Sequence, residues 1–85
     1  MATNKAVYDV TTTHAMHRKM IFRESHKCGI HNYISVTNTR TGEYIEFKCK
    51  YQYTNDFLAI CEVWIKEYFK QHLVSYKLVE FRKGD

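Results

Sequence analysis

Residues 33–53 read YISVTNTRTGEYIEFKCKYQY, and the pattern of this stretch is the strongest indication of the fold. Apolar and polar side chains alternate over residues 33–38 and again over 44–53, which is the period of a strand with one covered face and one wet face. Thr41 and Gly42 stand between the two runs, as in the turn of a β-hairpin. The stretch predicts two antiparallel strands that need a second layer over their apolar residues, Ile34, Val36, Ile45, Phe47, Cys49 and Tyr51.

The residues after the hairpin predict that second layer. Thr54 or Asn55 is suited to cap a helix, and Asp56 in the first turn complements the positive end of the helix dipole. Apolar residues then recur at helical spacing as far as about His72, in a stripe wide enough to cover a sheet. The stripe consists of Phe57, Ile60, Cys61, Trp64 and Tyr68, with a second row of Leu58, Ile65 and Phe69.

Three further segments complete the sheet. β-Branched and aromatic residues favour strands at 6–13, 20–23 and 74–81, the first and last of them as edge strands. Residues 14–19 are predicted to be a polar connector, 24–29 a turn or exposed loop, and both ends, 1–5 and 83–85, frayed. The order gives an α+β fold, an antiparallel sheet of four or five strands with one major helix packed on one face, in a single domain of residues 1–85.

Positive charge is unevenly distributed along the chain. The 85 residues include 13 Lys and Arg against 9 Asp and Glu, a formal net charge of +4. The excess is concentrated in residues 14–31, where four cations are accompanied by one acid, Glu24. Such a segment favours an anionic partner, either nucleic acid or an acidic protein surface.

Composition argues against two other classes of protein. Seven Tyr, five Phe, one Trp and no Pro describe an ordered domain, since disordered chains are poor in aromatic residues. No apolar run approaches the roughly 18–20 residues of a membrane-spanning helix, so no membrane partner is expected. The odd count of three cysteines and the lack of an export signal favour a cytoplasmic protein with free thiols.

Cations and aromatic rings together predict a nucleic-acid-binding surface. Cations neutralise phosphates, and flat rings stack on the bases of single strands. The wet face of the hairpin offers both kinds of side chain. The predicted nucleic-acid-binding residues are Arg18, Lys19, Arg23, Lys27, Tyr33, Tyr44, Lys48 and Lys50.

Metal binding and catalysis are weaker interpretations of the histidines. The candidate ligands His14, His17, His26, Cys28 and His31 do not have the spacing of a structural zinc site. The same histidines could act as the acid and base of a small nuclease, but no oriented pair or phosphate-binding loop is readable from the spacing. We therefore predict no enzyme, no metal and no cofactor.

In size, basic charge and richness in Lys, Tyr, Phe and Ile, the chain resembles the small proteins with which lytic phages disable host defences. Among these it is similar to the RNA-binding inhibitors of toxin endoribonucleases. The likeness covers the whole chain and is carried by composition, so it assigns no site residues. It implies a non-enzymatic inhibitor that acts in the host cytoplasm and binds RNA and a host ribonuclease together.

The sequence thus predicts a non-enzymatic nucleic-acid-binding module, with RNA preferred, that inhibits a host enzyme such as a toxin ribonuclease. The alternative is a protein–protein inhibitor that docks its basic patch, or a sheet edge, on a partner without nucleic acid. Edge pairing between two copies would give a homodimer. A small histidine-dependent nuclease is the second alternative.

Overall fold

The computed structural model describes residues 3–27, 31–49 and 57–84. In these ranges the chain forms strands β1, β2, β3 and β4, helix α1, a short 3₁₀ turn and strand β5. Their bounds are Lys5–Thr12 (β1), Met16–Lys27 (β2), His31–Asn38 (β3), Tyr44–Cys49 (β4), Phe57–Phe69 (α1), Lys70–His72 (3₁₀ turn) and Leu73–Arg82 (β5). This is the predicted α+β class, in which one helix packs on an antiparallel sheet.

The five strands form one sheet in the order β4-β3-β2-β1-β5, and every neighbouring pair is antiparallel. The chain leaves the sheet at one edge with β4 and returns at the opposite edge with β5. The prediction that the first strand is an edge strand is wrong, because β5 returns beside β1 and places β1 between two neighbours. The edge strands are β4 and β5.

The core lies between α1 and one face of the sheet. Alternate residues of the three central strands are buried there, and α1 contributes Phe57, Cys61 and Ile65, which are spaced four apart. The predicted stripe is nearly right, but Ile65 of its second row is fully buried whereas Tyr68 is 43% exposed. The sheet residues of this core are Ala6, Tyr8, Val10, Met20, Phe22, Ile34 and Val36.

The predicted hairpin is confirmed in β3 and β4. Ile34 pairs with Phe47 and Val36 with Ile45, so the apolar residues share the face that α1 covers. The turn closes through the Gly42 amide, which donates to the Asn38 carbonyl at 2.8 Å. Gly42 has a φ of 77°, a conformation that glycine adopts without steric cost.

Strand β2 is much longer than the predicted strand at 20–23, and both polar segments beside it are corrected. The connector is short because the Thr12 side chain closes a tight turn: its hydroxyl donates to the Ala15 carbonyl and accepts from the Ala15 amide, both at 3.0 Å. Beyond Arg23 the strand continues to Lys27 through pairing with β3. Glu24 is buried rather than looped out, and the Asn4 side-chain and backbone amides both donate to its carboxylate.

The chain ends are held more firmly than predicted. The Glu24 amide donates to the Asn4 carbonyl at 2.9 Å, and the Gly84 amide donates to the Asn4 side-chain oxygen at 2.6 Å. Asn4 therefore joins the start of β1 to β2 and to the end of β5. These bonds bring the basic residues at both chain ends onto the sheet.

Candidate nucleic-acid interface

The face of the sheet opposite α1 is the candidate interface, and we call it the open face. It carries the residues that alternate with the core positions, from β4 at one edge to β5 at the other. No described helix or strand packs on it. Because the sheet register is known, the side chains of this face fall into cross-strand rows about 7 Å apart, the advance of two strand residues.

One row of the open face contains three cations side by side. Arg82 on β5 pairs with Lys5 on β1, and Lys5 pairs with Arg23 on β2. The row continues through Ser35 to Glu46 on β4. We call Arg82, Lys5 and Arg23 the cationic row; neighbouring strands lie about 4.8 Å apart, so its charges are close together.

Among the described residues, an ion pair compensates only one of the three cations of the cationic row. Like charges placed directly opposite each other on neighbouring strands are destabilising. Lys5 forms an ion pair with Glu80 at 3.8 Å, and its side chain is only 20% exposed. Within the described ranges, Arg23 and Arg82 form no ion pair, and both are exposed. An anion bound across this row would relieve the repulsion.

A shallow depression of about 340 Å³ lies at the cationic row. The three cations line it together with Ser35 and Tyr44, which supply a hydroxyl and an aromatic ring, and the carboxylic residues Glu24 and Glu46 line it as well. This volume is at the lower end of the range for small-molecule pockets. The depression is suited to a phosphate or a single nucleotide unit.

The two predicted tyrosines lie on either side of the end of this row that carries no cation, formed by Ser35 and Glu46. Tyr33 is one row away, paired with Lys48, and Tyr44 is one row away in the other direction, paired with Thr37. Tyr44 is 61% exposed, and its hydroxyl donates to Glu46 at 3.3 Å. Four strand residues separate the two rings along the sheet, a distance of about 13 Å. An extended strand of nucleic acid spans such a distance with two or three nucleotides.

Arg18 and Lys19 lie together at a β-bulge, farther along the open face than the cationic row. The register between β1 and β2 shifts there, so that these two residues oppose Asp9. Lys19 has a φ of 59°, and its amide donates to the Asp9 carboxylate at 3.0 Å. The Thr39 hydroxyl lies 2.7 Å from the Arg18 carbonyl and fixes the bulge against the β3–β4 turn. Both cationic side chains are exposed.

The other predicted residues divide between the open face and positions that carry no side-chain description. Lys48 lies on the open face and is exposed. Lys27 belongs to β2, but its side chain lies outside the described part of the structure, and Lys50 lies outside the described residues altogether. The proposed cap residues 54–56, Tyr51 and Cys28 also lie outside the described residues.

Sequence reasoning missed Lys5 and Arg82. Both lie close to a chain end and were expected in or beside frayed segments, whereas they belong to β1 and β5. A signal was present in the alternation of residues 5–11, which places Lys5 on the face opposite Ala6 and Tyr8. The proximity of Lys5 to Arg82 depends on strand order and had no local signal.

The described histidines are separated into different environments. The His14 ring lies 4.7 Å from the His72 ring, whereas the His17 ring lies against Phe69 at 5.2 Å. The Nδ1 atom of His17 is 3.1 Å from the Asn38 side-chain nitrogen. In the described ranges, no group of three or more His, Cys, Asp or Glu is placed to hold a metal ion.

Among the described cysteines, Cys61 is a free thiol on the buried side of α1. Burial raises the pKa of this thiol well above its ordinary value, chiefly by desolvation of the thiolate. A thiol of this kind is neither nucleophilic nor accessible at neutral pH. Its role is to fill the core, as the helical stripe predicts.

The comparisons with known proteins identify no relative. Neither protein-family models, curated proteins nor solved structures match the chain. Of the helices in the described residues, none is long and apolar enough to cross a membrane. By its fold and its candidate site, the protein is an α+β domain with a sheet face that carries cations and tyrosines.

Proposed function

We propose that this protein is a non-enzymatic module that binds nucleic acid, RNA in preference, on the open face. The observation that carries the proposal is the cationic row, in which three neighbouring strands each contribute one cation at the same level of the sheet. Phosphate groups neutralise such a row and release its counterions, which favours binding at low salt. Tyr33 and Tyr44, on β3 and β4 beside Ser35 and Glu46, provide rings on which bases can stack.

The shape of the surface favours a single strand over a duplex. A helix that reads the major groove must protrude, but α1 packs on the sheet and its outer side carries Glu67 as well as Lys66. A sheet face with aromatic rings instead accommodates splayed bases, as in sheet-based binding of single-stranded RNA. Single-stranded RNA is thus the ligand class we propose.

The resemblance to phage inhibitors supports a narrower form of this proposal. In that form the protein acts in the cytoplasm of a host cell and inhibits a toxin ribonuclease by binding it together with RNA. Size, charge and composition support it, and the open face supplies a surface for the RNA. The alternative, inhibition through protein contacts without nucleic acid, is an outcome of the purification experiment below.

The first test measures the salt dependence of binding to a fluorescein-labelled single-stranded oligouridylate by fluorescence anisotropy. Lys5→Ala and Arg23→Ala should each weaken binding and reduce the slope of log K against log salt by about 0.7 for each phosphate that is no longer neutralised. Lys66→Ala removes a cation from the helix layer and is the matched control. If all three variants keep the wild-type slope, the open face does not bind the phosphates.

The same assay tests the tyrosines. Tyr44→Ala should cost about 1–3 kcal/mol of binding free energy through lost stacking, whereas Tyr44→Phe should bind like wild type because it keeps the ring. Wild-type binding by both variants would exclude Tyr44 as a stacking residue. A loss in both would assign the effect to the hydroxyl bonded to Glu46.

A purification from cells distinguishes RNA binding from protein-only inhibition. The wild type should retain RNA at low salt, and both Lys5→Glu with Arg23→Glu and Arg18→Glu with Lys19→Glu should lose it. If wild-type protein carries no nucleic acid and keeps a stoichiometric second polypeptide after nuclease treatment, the protein-inhibitor alternative replaces the proposal. RNA cleavage that is lost in His14→Ala with His17→Ala would instead support the nuclease alternative.

A further inference from the structure

The edge strand β5 presents an unusual surface. It is 10 residues long, and Val74, Leu78, Val79 and Phe81 are each between 38% and 61% exposed. Strand β1 pairs with one side of β5. In the described residues no strand pairs with its other side. Long apolar edge strands are prone to pair with other chains, and proteins commonly protect them with a lysine or a bulge.

Both protective features are present in β5, and the bulge also brings two opposite charges, Lys77 and Glu80, onto one face. Lys77 pairs with Asp9 and Glu80 with Val7, so the register advances by three residues on β5 for two on β1. Val79 is the extra residue of this bulge. Residues three apart in a regular strand lie on opposite faces, but the bulge places Lys77 and Glu80 together on the open face.

We propose that β5 pairs antiparallel with β5 of a second copy of this chain, around a two-fold axis at Leu78, with Val79 bulged out of both strands. In this register Lys77 lies opposite the partner's Glu80, and by symmetry Glu80 lies opposite the partner's Lys77. Tyr76 lies opposite the partner's Phe81 on the helix side of the sheet. Each of these pairs joins opposite charges or two aromatic rings on the same face.

Two alternative registers fail on charge. A shift that places Lys77 opposite the partner's Lys77, or opposite the partner's Arg82, brings like charges together on the open face, which is destabilising. A shift by one residue from the proposed register mismatches the two faces. This self-complementarity is the reason to infer a second copy rather than an unrelated partner.

The dimer would join the two sheets into one surface. Each copy contributes five strands, and both helices lie on the same side because paired residues share a face. Both cationic rows therefore lie on the same open face. The inference stands on β5 and does not depend on RNA binding.

The test is sedimentation equilibrium of nuclease-treated, RNA-free protein at increasing concentration. Wild type should be in concentration-dependent equilibrium between monomer and dimer. Lys77→Glu and Glu80→Lys should each raise the dimer dissociation constant about tenfold or more, because each places two like-charge pairs across the axis. The double variant, Lys77→Glu with Glu80→Lys, should restore the dimer, and circular dichroism checks that all variants are folded.

Three results would overturn the inference. One is a wild type that stays monomeric throughout the concentration series. Another is a dimer that both single charge reversals leave intact, since its interface would lie elsewhere. The third is loss of the dimer in both single variants without recovery in the double variant, since the two charges would then not face each other.

Discussion

Two side chains buried between α1 and the sheet make stability sensitive to alkaline pH. Tyr8 and Cys61 are 1% and 0% exposed. Desolvation raises the pKa of the Tyr8 hydroxyl above its ordinary value of 10.0, and the neighbouring Cys61 and Glu62 raise it further. Desolvation likewise raises the pKa of the Cys61 thiol above its ordinary value of 9.0. Both groups are therefore neutral in the folded protein at pH 7.

Stability should fall as pH rises above 9. Below that pH both groups are protonated in the folded and the unfolded chain; above it the unfolded chain loses protons that the folded chain keeps, so unfolding becomes more favourable. Each group contributes a slope of up to about 1.4 kcal/mol per pH unit. The slope is measured as the free energy of unfolding in urea at pH values from about 7 to about 11.

Matched variants show which side chain causes each part of the decrease in stability with pH. Tyr8→Phe should remove the part that begins above pH 10, and Cys61→Ala the part that begins above pH 9. Tyr44→Phe removes the hydroxyl of an exposed tyrosine and is the matched control. A Tyr8→Phe curve parallel to wild type up to the highest pH would contradict the assignment.

At the scale of elements, turns and bulges set which side chains meet. The β3–β4 turn is closed by hydrogen bonds between Asn38 and Glu43 and between Gly42 and Asn38. The same turn carries Thr39, whose hydroxyl bonds the carbonyls of the β2 bulge. This hairpin therefore both completes the sheet and supports the exposed cations Arg18 and Lys19.

Gly42→Ala should destabilise the protein by about 1–2 kcal/mol through strain at positive φ. A Cβ atom at this position would meet nothing within 4 Å, so the cost comes from the backbone conformation. Gly42→Asn is the matched control and should recover much of the loss, since Asn tolerates this conformation. Urea denaturation measures both. Equal stability of wild type and Gly42→Ala would show that the turn adopts another conformation.

On the scale of the whole molecule, the sheet separates two surfaces of different character. Trp64 lies in the helix layer, where its ring stacks on Tyr68 at 4.5 Å and meets the edge of Phe22 at 5.6 Å. The cationic row lies across the sheet on the open face. A ligand bound there is separated from the tryptophan by the thickness of the sheet and the core.

Single-stranded RNA should therefore bind without changing the fluorescence of Trp64. Unfolding in urea should shift the same emission to longer wavelength, which shows that the probe is responsive. A tryptophan signal that changes along the binding isotherm measured by anisotropy would place the RNA on the helix layer, contrary to the proposal.

The sequence alone determined the elements with strong local patterns. Alternation over residues 33–53 predicted the hairpin, and the helical stripe predicted α1, because side-chain period depends on backbone geometry within one element. The open-face positions of Tyr33, Tyr44 and Lys48 followed from the same alternation. The length of β2 did not, because its first residues are held by pairing with β1 and its last ones by pairing with β3.

Tertiary contacts set which strands are neighbours, and this strand order sets which residues form the candidate site. Lys5 and Arg82 come from opposite ends of the chain, and they meet because β5 returns beside β1. The bulge that unites Lys77 with Glu80 on one face is likewise a property of pairing. Register is fixed by contacts between distant segments, whereas local propensity reports on each segment separately. The sequence thus contained the charges, and long-range pairing arranged them into a surface.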